Sequence, residues 1–429
     1  PKYPKHWIKD IKRIIGKSSL KEIEYYNKQH LYEIIEEDET LKIIITFPNQ
    51  TIKVSIDEIT GLFFGYLKKQ INKYLDLSDD NKEQVYNAII TIPAYFTENQ
   101  RLATIKAAQF ANIKVLRLIN EPTAAALTYL QENNKIINNS NLIIFDIGGG
   151  TLDVTLLNLH NKILGEEKEI EIGIGIEPEM KIETDQLIQV IGTEGDSDLG
   201  GNDFDKELML YFFKEIKKNN PNLNLQHIVQ NDRAIHKVMM AVRLAKIELS
   251  SIISTSIIVE ELLGIDYNIK ISRSTFESLC NKYFNKCTML IENLLLNCDI
   301  KIEQINDIIL IGGPSCMPKL SSVIVEKFGI VPKKLKDPKY SVCMGASIYC
   351  HKLVQNSKNQ NNQNNHHNHS KKDELLIIDV TPLKIGVGIN DTMCTIIAKN
   401  TKIPCSATKV FSTEIDNQRV VSIKVTVIL

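Results

Sequence analysis

Three consecutive glycines, at 148–150, lie between two apolar segments, and this feature constrains the fold more than any other in the chain. The residues before them, 142–145, are all apolar, which is typical of a buried strand. After them, apolar and polar residues alternate over 152–156, which is the period of a strand. The pattern therefore predicts a β-hairpin with a glycine corner, and not the strand-to-helix turn of a Walker or dinucleotide-binding loop.

The residues around this corner suggest a chemistry for it. Successive glycines let backbone N–H groups converge on a phosphate oxygen. Asp146 and Asp153, one on either side, are suited to hold the hydrated Mg²⁺ that accompanies phosphate. The hydroxyl of Thr151 lies where it could contact a terminal phosphate or an attacking water. Taken alone, the same residues also fit a plain glycine turn.

Length, charge and cysteine spacing exclude several classes of protein. A chain of 429 residues is expected to form two or three domains. Lys and Arg number 51 and Asp and Glu number 52, so a net charge of −1 provides no basic surface for nucleic acid. No apolar run reaches the ~18 residues that span a bilayer, and we expect no membrane partner. The eight cysteines all lie beyond residue 279 without a Cys-x-x-Cys pair, which favours reduced, buried thiols over zinc or redox chemistry.

The N-terminal part reads as a hairpin followed by a helix. Strands are predicted at 41–47 and 51–54, and Ser55 with Glu58 forms a capping box that starts the helix. We expect one face of this helix to be core, because its apolar residues recur at helical spacing. The residues on that face are Ile59, Leu62, Phe63, Tyr66 and Leu67.

Strands and helices then alternate, which predicts an α/β architecture with some parallel pairing. Further strands are predicted at 88–92, 115–119 and 308–311, and an additional β-hairpin in the acidic stretch 160–192. Helices are predicted at about 97–110, 121–130, 203–218, 231–252 and 275–298, from about Lys319, and at 344–354. Thr97 with Gln100 caps the first of these helices, and Ser274 with Glu277 caps the helix at 275–298.

An Asn- and Gln-rich tract at 355–370 interrupts this pattern. We interpret it as a flexible polar linker, since that accounts for its composition without any ligand geometry. The alternative is a metal site formed by His366, His367 and His369. Beyond the tract, short strand-like segments predict the start of an all-β unit.

Two further motifs are weak by themselves. Glu121 follows an apolar strand, with Pro122 at the start of the next helix, and its carboxylate could orient water for an in-line displacement. It could equally be an acidic residue placed favourably on a helix dipole. Gly312 and Gly313 follow another strand, where the backbone could pack closely against a nucleotide.

The order and combination of these motifs are more specific than any one of them. Along nearly its whole length the sequence resembles the seventy-kilodalton heat-shock chaperone family, in its bacterial and organellar DnaK-like branch. The resembling segments are 92–96, 120–126, 145–154, 198–205, 245–251, 375–379, 397–401 and 416–418.

The resemblance implies an actin-like (ribonuclease H-like) ATPase with two lobes around a nucleotide cleft, followed by the start of a β-sandwich that grips extended peptides. The corresponding domains are 1–354 for the ATPase, 355–373 for the Asn/Gln/His-rich insert, and 374–429 for the linker and a truncated sandwich. It implies a stress-response chaperone that couples ATP hydrolysis to binding and release of unfolded polypeptide. ATP or ADP, Mg²⁺ and K⁺ are the implied cofactors, with a J-domain co-chaperone and a nucleotide-exchange factor as partners, in the cytoplasm, mitochondrion or plastid.

The resemblance also assigns roles to residues. Glu121, Asp146 and Thr151 would be catalytic, and Asp146 and Asp153 would hold cations. Nucleotide would contact Gly148, Gly149, Gly150, Thr151, Gly200, Gly201, Lys246, Ser250, Gly312 and Gly313. Allosteric signals would pass through Pro93, Arg101, Leu375, Leu376 and Asp379. The peptide groove would include Phe411, Val421 and Ile423. For Pro93 and Arg101 the ordinary alternatives are a strand-end proline and a solvated helix arginine.

Departures from the family pattern weaken the prediction of activity. The family's first phosphate loop and a catalytic lysine are expected before Pro1. Near the adenosine motif, Arg243 replaces a usual Glu, Cys316 replaces an Arg and Lys339 replaces an Asp, and each exchange alters charge beside the nucleotide. Two alternatives therefore stay open: a catalytically impaired member that acts as an interaction module, and an actin-like-fold small-molecule kinase. A kinase has no use for the apolar linker and the β unit, which makes it the weaker of the two.

Overall fold

The structure is a computed structural model that describes residues 8–24, 32–77, 86–133, 139–163, 184–362, 375–389, 392–413 and 418–428. Within these residues it contains ten α-helices and seventeen β-strands. In chain order they are β1 (Glu33–Glu37), β2 (Thr40–Phe47), β3 (Gln50–Ser55), α1 (Ile56–Tyr74), β4 (Tyr86–Ile92), α2 (Glu98–Phe110), β5 (Ile113–Asn120), α3 (Glu121–Glu132), β6 (Ser140–Ile147), β7 (Leu152–Ile163), β8 (Thr184–Asp196), α4 (Gly201–Asn219), α5 (Leu225–Val229), α6 (Asp232–Leu249), β9 (Ser254–Leu262), β10 (Ile265–Ser272), α7 (Arg273–Leu279), α8 (Asn281–Asn297), β11 (Asp307–Ile311), α9 (Pro318–Phe328), β12 (Lys333–Lys334), α10 (Ser341–Asn362), β13 (Leu375–Val380), β14 (Lys384–Ile389), β15 (Thr392–Ile397), β16 (Lys402–Ile403) and β17 (Val425–Ile428).

The largest sheet has seven strands in the order β12-β11-β6-β7-β8-β13-β16. Its centre is the antiparallel β6–β7 hairpin that the glycines predicted. β11 pairs with β6 in parallel, and β13 pairs with β8 in parallel. The predicted mixture of α/β alternation and parallel pairing is therefore confirmed.

Strand β6 is buried on both faces, because its apolar run has no polar face. Ile143, Phe145 and Ile147 point to one side, and Leu142 and Ile144 point to the other. The first side is covered by α4, α6, α8, α9 and the β9–β10 hairpin. The second is covered by α3 and α10. Two hydrophobic cores thus hold the glycine corner at the end of a rigid strand.

An N-terminal layer contains a β1–β2–β3 meander, helices α1 and α2, and a parallel pair of strands, β4 and β5. Both predicted capping boxes, Ser55 with Glu58 and Thr97 with Gln100, are present. The strand β1 was not predicted from the sequence.

The prediction that one face of α1 is core is wrong for most of that face. Leu62, Phe63, Tyr66 and Leu67 are exposed, whereas Ile59 is partly buried. The helix instead packs on α2 through Gly61, where an added Cβ would lie 2.7 Å from the Cβ of Phe110. Since the close approach occurs at a residue without a side chain, the large apolar residues of α1 face outward.

Two helix predictions need correction. The helix predicted at 275–298 is two helices that meet at Cys280, and its cap is Ser272, whose hydroxyl accepts from the N–H of Thr275, not Ser274 with Glu277. Before it lies the β9–β10 hairpin, which was not predicted. The last helix, α10, extends to Asn362, so the polar tract predicted as a linker is helical over its first residues.

The C-terminal part begins with β13 in the large sheet and continues with a three-stranded antiparallel sheet in the order β15-β14-β17. The three histidines of the polar tract and the acidic stretch at 164–183 lie outside the described residues. All eight cysteines are free, as predicted, but the prediction of burial holds only for Cys280 and Cys287, and Cys343 is exposed. No helix in the described part of the chain combines the length and the apolarity that a bilayer crossing requires.

Candidate functional site

The glycine corner, residues 148–151, closes the β6–β7 hairpin. The N–H of Gly148 donates to the carbonyl of Thr151 at 2.9 Å. Nothing lies within 4 Å of the position that a Cβ on Gly149 would take, so the backbone there is open to a ligand. The corner therefore has the close-approach geometry that its three glycines predicted.

The start of α4 holds this corner in place. The N–H groups of Gly201 and Asn202 donate to the carbonyls of Gly148 and Gly149 at 2.9 and 2.8 Å. A Cβ on Gly200 would lie 2.6 Å from the backbone of the corner. Gly200 and Gly201 therefore position the corner through the backbone, and contact with nucleotide stays a prediction for both.

Asp146 and Asp153 are directly opposite each other on β6 and β7. Both side chains are buried, and like charges on opposite positions of a strand pair repel. Burial, helped by the charge of Glu121, raises the pKa of Asp146 to about 7. Burial, with the charges of Glu121 and Asp146, also raises the pKa of Asp153 well above its ordinary value. Two carboxyls with perturbed pKa values on adjacent strands mark this hairpin as a candidate functional site.

Glu121 is the first residue of α3, directly after β5. Its Oε1 lies 2.6 Å from the Nζ of Lys12, which belongs to the short 3₁₀ turn Ile11–Arg13. The charge of Lys12 also acts on Asp146 and Asp153, where it opposes the upward pKa shifts. We name Glu121, Asp146 and Asp153 the acidic site.

Lys12 is a member of the site that was not predicted from the sequence. A catalytic lysine was expected before Pro1, whereas the structure brings a lysine of the described chain to the acidic site. No periodicity or spacing in the sequence links this lysine to Glu121, because 109 residues separate them.

Arg13, the next residue, lies against the glycine corner. Its guanidinium donates to the carbonyl of Gly150 and lies 3.8 Å from a carboxylate oxygen of Asp203. The Asp203 carboxylate also accepts from the N–H of Gly200 and from Lys206, both at 2.9 Å. The N-terminal turn is thereby anchored on both the corner and the start of α4.

Gly312 and Gly313 directly follow β11, the strand that pairs with β6. Gly312 has a φ of +84°, and a Cβ there would overlap the carbonyl oxygen of Ile147 and lie 3.1 Å from a carboxylate oxygen of Asp146. Only glycine fits this position. Gly313 has nothing within 4 Å of its Cβ direction, so the backbone beside the acidic site is open there too.

The two residues predicted to contact the nucleoside, Lys246 and Ser250, form hydrogen bonds within the protein. Lys246 bonds to Asp205 and to the carbonyl of Gly201, each at 2.7 Å, and burial lowers its pKa. The hydroxyl of Ser250 donates to the carbonyl of Lys246 at 3.4 Å. Arg243 is exposed on the same helix, and its charge acts on Asp205 and Lys246. Roles in nucleotide binding stay predictions for Lys246 and Ser250.

Two of the residues predicted to be allosteric, Arg101 and Asp379, both bond to Asn120, and the allosteric role stays a prediction. The side-chain amide of Asn120 donates to the carboxylate of Asp379 and accepts from Arg101 at 3.2 Å. Arg101 is not a solvated helix arginine, because it is partly buried and burial lowers its pKa. Pro93 is buried at the end of β4, and Leu375 and Leu376 pair with β8 as part of β13.

The predicted peptide-groove residues, Phe411, Val421 and Ile423, are exposed and lie outside the strands. Val421 and Ile423 precede β17, which pairs with β14. Their exposure is compatible with an apolar ligand.

Within the described residues, no three His, Cys, Asp or Glu side chains are grouped closely enough to coordinate a metal ion by themselves. The donor set nevertheless fits hydrated Mg²⁺, which usually binds to one or two carboxylates and completes its shell with water and phosphate oxygens. The acidic site offers these carboxylates next to an open glycine backbone.

Comparisons with known proteins agree with this arrangement. The model of the family described as Hsp70 protein matches residues 2–165 and 180–427. The heat shock cognate 70 kDa protein 3 of Dictyostelium discoideum is 32% identical over 98% of this chain, and the match covers 61% of that relative. The heat shock 70 kDa protein of Neurospora crassa is 33% identical over 98% of this chain, and the match covers 59% of that relative. The chaperone protein dnaK of Cyanidium caldarium is 32% identical over 98% of this chain, and the match covers 60% of that relative.

The chain thus spans about three fifths of the length of the curated relatives it matches. The family model covers both the glycine corner and the strand β13 that joins the sheet. On this agreement of sequence and fold, the chain belongs to the Hsp70 family.

Proposed function

We propose that the protein is an ATP-dependent chaperone, which binds ATP at the glycine corner and couples its hydrolysis to binding and release of unfolded polypeptide. One observation carries the proposal: the open glycine corner, the acidic site and Lys12 meet at the end of one strand. Asp146 and Asp153 flank the corner, but Glu121 and Lys12 come from distant parts of the sequence, and a plain glycine turn requires neither of these two.

Each residue has a chemical role in this proposal. The backbone N–H groups near Gly149 and the ammonium of Lys12 attract the negative phosphate oxygens. The carboxylate of Glu121 accepts a hydrogen bond from the attacking water and orients it in line with the terminal phosphate. The hydroxyl of Thr151 is placed to contact that phosphate or the water.

Asp146 and Asp153 would hold the cations that accompany ATP, Mg²⁺ and K⁺. Mg²⁺, when bound, supplies positive charge that neutralises the phosphate oxygens during transfer. The two aspartates are suited to this because they are buried opposite each other, so that a nearby positive charge relieves their repulsion.

Coupling to peptide would pass through β13. Asp379 at the end of this strand is bonded to Asn120, which immediately precedes Glu121 in the chain. A change at Glu121 thereby reaches the strand that leads to Phe411, Val421 and Ile423. Unfolded polypeptide, a J-domain co-chaperone and a nucleotide-exchange factor are the partners we propose, on the family relationship alone.

A catalytically impaired interaction module is the second candidate. Arg243 adds a positive charge close to Lys246, where the family pattern has a Glu. Cys316 and Lys339 likewise alter the polar groups expected beside the nucleoside. The small-molecule kinase is no longer a competitor, because the family match and the docked β13 are features of the chaperone.

Calorimetric titration with Mg-ATP, followed by single-turnover hydrolysis, tests the proposal. We expect Glu121→Gln to retain ATP binding and to lower the hydrolysis rate by about 10²-fold or more, as loss of a positioned general base does. Glu292→Gln is the matched control, because Glu292 also forms a 2.6 Å pair with a lysine, Lys327, but lies on α8 outside the acidic site. Absence of heat at millimolar Mg-ATP would leave only the interaction module.

A further inference from the structure

A narrow cavity lies beside the end of the docked strand β13. Asp379 and Val380 of β13 form one wall, and the start of α3 and the strands β7 and β8 form most of the remainder. The cavity is too narrow to admit a water molecule. The polar groups that line it can therefore be satisfied only by partners within the protein.

Most polar side chains of this cavity are paired with one another. The hydroxyls of Thr155 and Thr193 are bonded at 3.1 Å, and the amide of Asn120 donates to the carboxylate of Asp379. Thr123 is the exception. It is fully buried, and among the residues that the structure describes its hydroxyl has no hydrogen-bond partner.

A second threonine of the same helix shows that this is a property of the site and not of α3. Thr128 is 1% exposed, and its hydroxyl donates to the carbonyl of Ser341 at 2.6 Å. The helix α3 thus carries one buried hydroxyl that is satisfied, against α10, and one that is not, at the cavity beside β13.

The unsatisfied hydroxyl is unfavourable only while the cavity is closed. A buried hydroxyl without a partner costs free energy, because it has lost its hydrogen bonds to water. Withdrawal of β13 removes the wall formed by Asp379 and Val380, so that water reaches Thr123. The cost therefore falls on the docked state. An apolar side chain of the same shape, such as valine, would not carry it.

We propose that Thr123 is a built-in weak point in the docking of β13: its unsatisfied hydroxyl lowers the stability of the docked strand and so favours release of the strand. The inference goes beyond the proposed function, because it concerns the docking equilibrium of β13 and holds whether or not ATP is hydrolysed. Thr123 lies two residues after Glu121 in the first turn of α3, so the weak point and part of the acidic site share one helical turn.

Hydrogen exchange of the β13 amides, at one pH and without nucleotide, tests the proposal. We expect Thr123→Val to slow this exchange at least about fivefold, because it keeps the shape of the side chain and removes the unsatisfied hydroxyl. Thr123→Ser, which keeps the hydroxyl, should give no slowing. Thr128→Val is the matched control: it is the same substitution on the same helix, but it removes a hydroxyl that has a partner, so it too should give no slowing.

Exchange of the β6 amides separates docking from global stability. In Thr123→Val it should slow as well, since the hydroxyl also meets water when the whole chain unfolds. Slowing in β6 alone would mean that Thr123 stays buried when β13 leaves, and would overturn the proposal. Unchanged or faster β13 exchange in Thr123→Val, or equal slowing in Thr128→Val, would do the same.

Far-ultraviolet circular dichroism establishes that each variant is folded. If Thr123→Val does not fold, Thr123→Cys replaces it, because a thiol behaves as a small apolar group when buried and should slow the exchange in the same direction. Since no nucleotide is used, the result is independent of whether Mg-ATP binds in the calorimetric experiment.

Discussion

The large sheet and the N-terminal layer use similar helices in different ways. In the first, Phe204 of α4 is fully buried, with the rings of Tyr283 and Phe284 at centroid distances of 5.3 and 5.2 Å. In the second, Phe63 of α1 is 58% exposed, although it belongs to an equally regular apolar stripe. The difference teaches that helical spacing identifies an apolar face but does not identify its partner. The helices α6, α7 and α8 and strand β10 cover the face of α4, whereas α1 touches α2 through a glycine.

The largest expected effect is at Phe204. Phe204→Ala removes a ring from the centre of a packed aromatic group and should lower the free energy of unfolding by about 3–5 kcal/mol. Denaturant titration followed by circular dichroism measures this. A loss below about 1 kcal/mol would show that the sheet region is packed no better than the N-terminal layer, and would break the comparison.

An intermediate effect is expected at Asp379, which joins the two regions through Asn120. Burial raises the pKa of this carboxyl above its ordinary value. The hydrogen bond from the N–H of Val380 and the charge of Arg101 lower the pKa, but by less. A raised pKa means that the docked state binds the proton more tightly, so docking of β13 is strongest below the ordinary value of 3.8 and weakens as the pH rises through the raised value. Each unit of such a shift is worth about 1.4 kcal/mol, and we expect a loss of protection that is smaller than the effect at Phe204 and larger than the effect at Phe63.

Hydrogen exchange of the β13 amides, corrected for the intrinsic rate at each pH, measures that docking. Asp379→Asn keeps an acceptor for Asn120 but cannot ionise, so its protection should not change with pH in this window. Equal pH dependence in both proteins would mean that another group links the two regions.

The smallest effect is expected at Phe63. Phe63→Ala should change the free energy of unfolding by no more than about 0.5 kcal/mol, because exposed side chains contribute little. It is the same substitution as Phe204→Ala, so the pair isolates burial from residue type. A loss of 2 kcal/mol or more would indicate that the apolar face of α1 is covered in solution.

Where the sequence predicted well, the signal was local. The glycine corner, the capping boxes at Ser55 and Thr97, and the apolar strand at 142–145 are each specified within a few residues. Steric restrictions on the backbone and the unpaired N–H groups at helix starts act within a few residues, so the local sequence is enough to predict these features. The grouping of Asp146 with Asp153 follows from the hairpin register for the same reason.

The errors concern contacts between distant segments. Lys12 reaches Glu121 from 109 residues away, and no periodicity reports such a pairing. The β9–β10 hairpin was missed although its buried residues alternate, because helices dominate the surrounding sequence. The exposed face of α1 depends on Gly61, whose importance appears only once α2 lies against it.

Strand β13 is paired on both edges, with β8 on one side and with β16 on the other. It is therefore part of the sheet as well as a connection to the C-terminal strands. Its withdrawal would also remove β16 and would leave the edge of β8 unpaired. Unpaired strand edges of this kind can pair with other extended chains. A molecule that releases this strand thus exposes an unpaired strand edge on the large sheet while the C-terminal strands are undocked, and its risk of self-association grows with the time spent in that state.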